Sequence, residues 1–281
     1  MENIVIANLE KLEKLKKAIA KGGAKQLHVV ADFDRTLTPA FVEGKSIPSL
    51  ISILRDGNYL TPDYAAKAHA LYDKYHPIEI DPEIPLAGKK EAMREWWMAH
   101  FDLLAKSGFT RDDLEKVVES GKIRFRNGAL KFIDSLYAQN IPLIIMSSAG
   151  IGEVISMVLK KEGRLYDNIH IISNVFEWDK NGNAISIREP IIHAMNKDET
   201  EIKNLPVFDL IKNRKNVLLL GDNLEDIGMV KGFDYKNLIK IGFLNENVKE
   251  NLERYKNNFD VVILNDISLD YVNQLLTETI K

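Results

Sequence analysis

Leu27-His28-Val29-Val30-Ala31-Asp32-Phe33-Asp34-Arg35-Thr36-Leu37-Thr38 sets two carboxylates directly behind a short apolar run. The run has the length of a buried strand, and Asp is depleted in strands and costly to bury without a partner. Packing gives no reason for Asp32 and Asp34 to stand there; chemistry does. In a doubly wound parallel sheet, ligands bind at the carboxyl ends of the strands, where neighbouring acids can share a metal ion and a phosphate.

Downstream, two more strand ends and a loop carry polar groups. The apolar stretch 141–146 passes into Ser147-Ser148-Ala149-Gly150-Ile151-Gly152. Hydroxyls and free N–H groups at a strand-to-helix junction suit an anion, although a Ser-Gly cluster alone reads equally as a turn or cap. The stretch 217–220 passes into Gly221-Asp222-Asn223-Leu224-Glu225-Asp226, again acids beyond an apolar strand, with Asp226 also able to cap a helix. Between them, Ile192-His193-Ala194-Met195-Asn196-Lys197 puts a lysine in a loop otherwise poor in positive charge.

Around these points the chain alternates. Helical spacing runs from Ile4 to Ile19 and stops at Gly22-Gly23, with Lys11, Lys14, Lys16, Lys17 and Lys21 on a solvated face. Segment 42–119 reads as helices without a convincing strand. One follows Pro62 over 64–75, one carries Met93, Trp96, Trp97, Phe101 and Leu104, and one starts at Thr110 with a capped first turn. Helices at 129–138 and 152–161 then alternate with apolar runs at 141–146, 169–172, 217–220, 238–241 and 261–264, and Asn181-Gly182 marks a hairpin. The pattern predicts an α/β protein with a doubly wound parallel sheet, a core of 1–42 and 119–281, and a helical cap of 43–118 inserted after the first strand. The insertion follows directly on the two acids, where it can cover them.

Composition narrows the functional classes. Of 281 residues, 45% are hydrophobic and 28% charged, as in ordinary globular proteins, and the net charge of -3 offers no broad cationic field for nucleic acid or membrane. With no cysteine, disulfides, thiolate metal sites and a Cys nucleophile are excluded. Residues 1–10 lack the pattern of a secretory leader, and no run reaches the roughly 18–20 apolar residues of a spanning helix. The expectation is a soluble cytoplasmic protein, a monomer or weak homodimer.

Together the polar strand ends meet the needs of phosphoryl transfer. A carboxylate nucleophile divides hydrolysis into two steps through an aspartyl phosphate, and a second carboxyl group supplies and removes protons. Magnesium prefers oxygen ligands, and a metal with a lysine offsets the charge that repels a carboxylate from a phosphate. Gly44-Lys45-Ser46 fails as a P-loop because Pro39 stands where the first Gly is needed. His69, His76 and His100 fall on different cap segments and read as solvated or packing residues rather than a zinc site. No Gly-x-Ser-x-Gly elbow supports a serine hydrolase.

In this order, Asp-x-Asp-x-Thr, a strand-terminal Ser, a later Lys and Gly-Asp-x-x-x-Asp resemble the four motifs of the haloacid dehalogenase-like hydrolase superfamily. Asp32-Phe33-Asp34-x-Thr36-Leu37, Lys74-Tyr75-x-x-Ile78-Glu79-x-Asp81-Pro82, Ser148-Ala149-Gly150-Ile151-Gly152, His193-x-x-Asn196-Lys197 and Gly221-Asp222 are further similar to the cytosolic pyrimidine 5'-nucleotidase family. The resemblance implies a Rossmann-like core with a helical cap and Mg2+-dependent hydrolysis of nucleoside 5'-monophosphates, pyrimidine ones above all. It implies Asp32 as nucleophile and metal ligand, and Asp34 as acid/base whose carbonyl also faces the metal. Ser148 and Lys197 would hold phosphate with the backbones of Ala149 and Gly150, Asp222 would bind the metal, and Asp226 would support it. In the cap, Glu79 would meet the amino edge of the base, with Trp97 (or Trp96), His100 and Ser52 around the nucleoside. Ser52 and His100 depart from the pattern of the animal members. The alternatives are a phosphatase of the same superfamily for another small phosphate ester, and a nucleotide-binding protein without turnover, which would have no need of Asp34.

Overall fold

The structure is a computed structural model that describes residues 3–81, 83–197 and 205–280, so Pro82 of the family motif lies outside the described residues. The chain opens with β1 (Ile4–Ile6), α1 (Leu9–Gly22) and β2 (Leu27–Ala31), then β3 (Phe41–Val42) and β4 (Lys45–Ser46). Helices α2 (Leu50–Asp56), α3 (Tyr64–Ile80), α4 (Leu86–Lys106), α5 (Arg111–Glu119) and α6 (Ala129–Ala138) follow. Next come β5 (Leu143–Met146), α7 (Glu153–Lys161), β6 (Ile169–Ile172), β7 (Phe176–Trp178), β8 (Ala184–Ile187) and α8 (Val207–Ile211). The last elements are β9 (Asn216–Gly221), β10 (Asn237–Leu244), α9 (Val248–Lys256), β11 (Val261–Leu264) and α10 (Asp270–Thr279).

Seven strands form one sheet in the order β1-β11-β10-β9-β2-β5-β6. From the central β2 the chain winds outward through β5 and β6, then returns to the opposite side and winds through β9, β10 and β11, the doubly wound arrangement expected. β2, β5, β9 and β11 are buried at every position, which is why they read as continuous apolar runs rather than alternating ones. Register decides where the site lies. Ala31 pairs in parallel with both Ile145 and Leu220, so Asp32, Ser147 and Asp222 leave the same edge of the sheet within a residue or two of one another.

The helices start and stop where their end residues dictate. Asn8 accepts the Lys11 N–H at 2.9 Å and caps α1, while Gly23 ends it at a φ of 59°. Thr110 and Asp113 form a reciprocal capping box on α5. α3 packs against both α2 and α4; α4 also meets β8 and the 194–196 turn, and α5 packs against α2 and α7.

Three local expectations are corrected. The helical pattern does not reach back to Ile4: Ile4–Ile6 is an edge strand antiparallel to β11, because Asn8 caps the helix and the free edge of β11 pairs a β-branched segment. The segment 42–119 is not wholly helical, since β3 and β4 form a small ribbon that turns through Glu43 and Gly44 at φ of 52° and 75°. That turn also removes Gly44-Lys45-Ser46 from any P-loop. After β9 the chain makes a 3-10 coil at Leu224–Val230 rather than an α-helix. The hairpin at Asn181-Gly182 is present as β7 and β8.

Candidate active site

At the carboxyl edge of the sheet, Asp32 is only 4% exposed. The Lys197 ammonium donates to Asp32 Oδ1 and, at 2.7 Å, to Asp226 Oδ1. Asp32, Asp222 and Asp226 each bring an oxygen within 4.8 Å of the other two. Asp226 does two jobs, since its other oxygen accepts the Asn223 N–H at 3.0 Å and caps the coil that follows β9. Close packing aids this: a Cβ on Gly221 would fall 2.5 Å from the Cβ of Asp226.

Lys197 pairs with Asp32 and Asp226, and Arg35 stands 3.8 Å from Asp222 but also pairs with Glu246, so the three carboxylates keep surplus negative charge in a poorly solvated place. Burial, reinforced by Asp226, pushes Asp222 up to about 7, and burial likewise raises Asp32 well above the usual carboxylate range although Lys197 opposes it. Burial acts to lower Lys197, yet Asp226 and Asp32 outweigh it and keep the side chain charged. An all-oxygen donor set with uncompensated negative charge fits a hard divalent cation such as Mg2+.

The carboxylate of Asp34 lies outside that cluster and lines an adjoining cavity. It sits in a single wide turn over Phe33–Leu37, closed by the Thr38 N–H to the Phe33 carbonyl at 3.1 Å, with Arg35 in the left-handed region at a φ of 61°. Burial pushes Asp34 up to about 6, partly offset by the Leu50 N–H at the start of α2 and by the positive charges of Lys197 and Arg35. A carboxyl group that exchanges its proton near neutrality, half-buried beside a cavity, suits acid/base work.

One buried cation holds the turn. Arg126 donates to the carbonyls of Thr36 at 2.8 Å, Thr38 at 3.2 Å, Ile267 at 2.9 Å and Arg35, and pairs with Asp266 at 2.8 Å. Asp266 in turn accepts the N–H groups of Ala40 and Phe41, both at 2.8 Å. The segment that carries Asp34 is thus fixed at its exit as well as by β2.

The two seryl residues after β5 divide. Ser147 is buried and its Oγ accepts the Ala149 N–H at 3.1 Å, whereas Ser148 is half-buried and lines the cavity with Ala149. That bond engages the Ala149 N–H in this arrangement. Buried Asn174 ties this loop to the one bearing Lys197, donating to the carbonyls of Ala149 at 3.2 Å and Ile192 at 2.8 Å and accepting the Ile192 N–H at 2.9 Å.

Beyond Asp34 the cavity, about 220 Å³, is lined by Ser52 and Arg55 of α2, Tyr72 and Glu79 of α3, and Trp96, Trp97 and His100 of α4. All four cap residues singled out from sequence line it. Trp97 lies against the loop after β5: a Cβ on Gly150 would fall 2.6 Å from its Cζ3. Glu79 is bonded to His76 Nδ1 at 3.1 Å, and His100 Nε2 to the Tyr64 hydroxyl at 2.9 Å. Burial, helped by Arg55, pushes His100 down to about 4 and leaves it neutral. His69 stands 3.7 Å from Asp56, so the three histidines of this segment have separate partners.

Residues 35–280 match the model of the family described as Pyrimidine 5'-nucleotidase (UMPH-1). The chain belongs to this nucleotidase family. It is 36% identical over 259 residues to the 7-methylguanosine phosphate-specific 5'-nucleotidase A of Xenopus laevis, covering 92% of this chain and 89% of that one. The Homo sapiens 7-methylguanosine phosphate-specific 5'-nucleotidase is 35% identical over 267 residues, with 95% and 89% covered. The crystal structure of cytosolic 5'-nucleotidase IIIB bound to cytidine superposes with a TM-score of 0.92 at 27% identity, over 99% of this chain and 94% of that one. A phosphoserine phosphatase carrying an analogue of its phospho-aspartyl intermediate shares the fold, with a TM-score of 0.52 at 14% identity over 89% and 97%. The protein is therefore a phosphoric monoester hydrolase of the nucleotidase class.

Within this nucleotidase, sequence reasoning missed Arg126, Asn174 and Arg55. Asn174 had a signal, since it follows β6 as Asp32 follows β2, a polar residue just past a strand end. Arg126 had none, its carbonyl partners in the turn lying 88 to 91 positions away. Arg55 lies on α2, and only the fold brings it to the cavity.

Proposed function

We propose that this nucleotidase hydrolyses nucleoside 5'-monophosphates with Mg2+ through an aspartyl phosphate on Asp32, in the cytoplasm. The observation that carries the reading is the pairing of Asp32 with Lys197 beside a cavity whose near wall holds Asp34 and whose far wall is the aromatic cap. In the first half-reaction the Asp32 carboxylate attacks phosphorus, the bond from phosphorus to the 5'-oxygen breaks, and Asp34 gives its proton to the leaving oxygen. In the second, Asp34 takes a proton from water as the water oxygen attacks the phosphoryl group, and Asp32 leaves as carboxylate. Lys197 and Ser148 hold the non-bridging oxygens. A bound Mg2+, held by Asp32, Asp222 and the Asp34 carbonyl with Asp226 in support, would neutralise phosphate charge.

For the nucleoside, we assign the segment 43–118 as a cap that closes over the base, with Trp97 stacking on it and Glu79 accepting from its amino edge. Pyrimidine bases are the expected class, supported by the name of the matched family and by the cytidine in cytosolic 5'-nucleotidase IIIB. A second candidate is 7-methyl-GMP, for which curated relatives are named. The test is phosphate release from CMP, UMP, dTMP, AMP, GMP and 7-methyl-GMP with Mg2+ and with EDTA, for the wild type and Asp32→Asn. Loss of turnover in EDTA and in the folded variant is expected; full activity in either would sink the mechanism.

A further inference from the structure

One cation at the base end of the cavity has no part in the phosphoryl chemistry. Arg55, on α2, has a side chain only 16% exposed and lines the cavity with Glu79 and Trp97. Its Nη2 donates to Ser52 Oγ at 3.2 Å and its Nε to Asp56 Oδ1 at 3.1 Å, and the guanidinium stands 5.9 Å from the centre of the Tyr72 ring. Asp56 is half exposed and screens the charge from the solvent side. On the cavity side the field of Arg55 reaches His100, which it helps to keep neutral. Two carboxylates share the cavity lining with it: Asp34 at the phosphoryl end, and Glu79, which is bonded to His76 at 3.1 Å.

We infer that Arg55 is a specificity-determining residue that admits neutral bases and rejects bases carrying positive charge. The inference rests on the reading that this cavity takes the nucleoside. A guanidinium presents N–H groups to acceptors, and uracil, cytosine and guanine all offer carbonyl oxygens, with ring nitrogens besides in cytosine and guanine. Methylation of guanine at N7 removes one such acceptor and places a unit positive charge on the ring. Two like charges roughly 8 Å apart, in the effective dielectric of about 20 that suits such sites, disfavour binding by about tenfold or more. Arg55 therefore sets this chain toward neutral bases although relatives of similar length are named for 7-methylguanosine phosphate.

GMP and 7-methyl-GMP form a matched pair, differing by one methyl group and one charge. The ratio of their kcat/KM values, 7-methyl-GMP over GMP, is measured for wild type, Arg55→Gln, Arg55→Met and Arg55→Lys. Turnover of p-nitrophenyl phosphate, which has no base, identifies the folded variants. Both charge-removing variants are expected to raise the ratio by about tenfold, and Arg55→Lys, which keeps the charge, to leave it within about twofold of wild type. An unchanged ratio in the charge-removing variants, or an equal rise in Arg55→Lys, overturns the inference alone. Turnover of p-nitrophenyl phosphate with no nucleoside monophosphate hydrolysed overturns both the inference and the reading beneath it.

Discussion

Gly150→Ala is expected to injure the proposed base site while sparing the proposed phosphate site. Ala keeps the backbone N–H, but its Cβ would fall 2.6 Å from Trp97 Cζ3, 3.0 Å from Cη2 and 3.2 Å from Ile51 Cδ1. Carbon atoms pack at about 3.5–4.0 Å, so the indole must retreat by roughly 1 Å. It has little room, lying near-parallel to Phe101 at 5.3 Å, His100 at 5.8 Å and Trp96 at 6.3 Å between ring centres. Overpacking of this kind costs about 1–3 kcal/mol, which as lost ground-state binding raises KM for a nucleotide roughly 5- to 150-fold. Steady-state kinetics on CMP and p-nitrophenyl phosphate separate the outcomes: KM should rise for CMP and change less than about threefold for the base-free ester. Equal losses on both substrates, or no loss on either, would refute the contact between the phosphate loop and the cap. Trp97→Ala in the Gly150→Ala background removes the clash, so the double variant should melt no lower than Trp97→Ala alone.

Two further perturbations probe the buried charges. In EDTA, Asp222→Asn should raise the melting temperature at pH 8. The fold holds this carboxyl up near 7 against about 3.9 unfolded, so its ionisation costs stability fully above pH 7 and not at all below pH 4. With the side chain 23% exposed, the gain is roughly 2 kcal/mol after discounting for solvent, or about 4 °C; a lower melting temperature, or a gain undiminished at pH 4, contradicts it. Arg126→Met should lower stability by about 3–5 kcal/mol in urea unfolding, because it strands Asp266 and releases several carbonyls of the Asp34 turn. A loss below about 1 kcal/mol would show that the turn holds itself.

Most of what could be read in advance was local. The β2, β5 and β9 runs are apolar because both faces of the sheet are covered, and an acid or hydroxyl after each stands out against that background. The cap helices were legible through helical spacing and end signals such as the Thr110 box. Where local pattern competed with a distant partner, the distant partner won. Ile4–Ile6 continues a helical spacing yet pairs with β11, more than 250 positions later. Trp97 sits at an ordinary helical core spacing, and only its approach to Gly150 joins it to the phosphate side.

By itself the amino-acid sequence determined the α/β architecture, the reaction class and the residues at the sheet edge, because strand composition, helix caps and motif spacing are properties of near neighbours. Tertiary structure alone decided the charge states and the partners. Lys197 meets Asp32 from 165 positions away, Arg126 reaches the Asp34 turn from about 90, and Arg55 turns its charge toward a cavity completed by α3 and α4. Burial and Coulomb interactions depend on distance in space rather than along the chain, so the acidity of Asp34 and Asp222 and the sign of the field at the base arise only when the sheet edge and the cap come together.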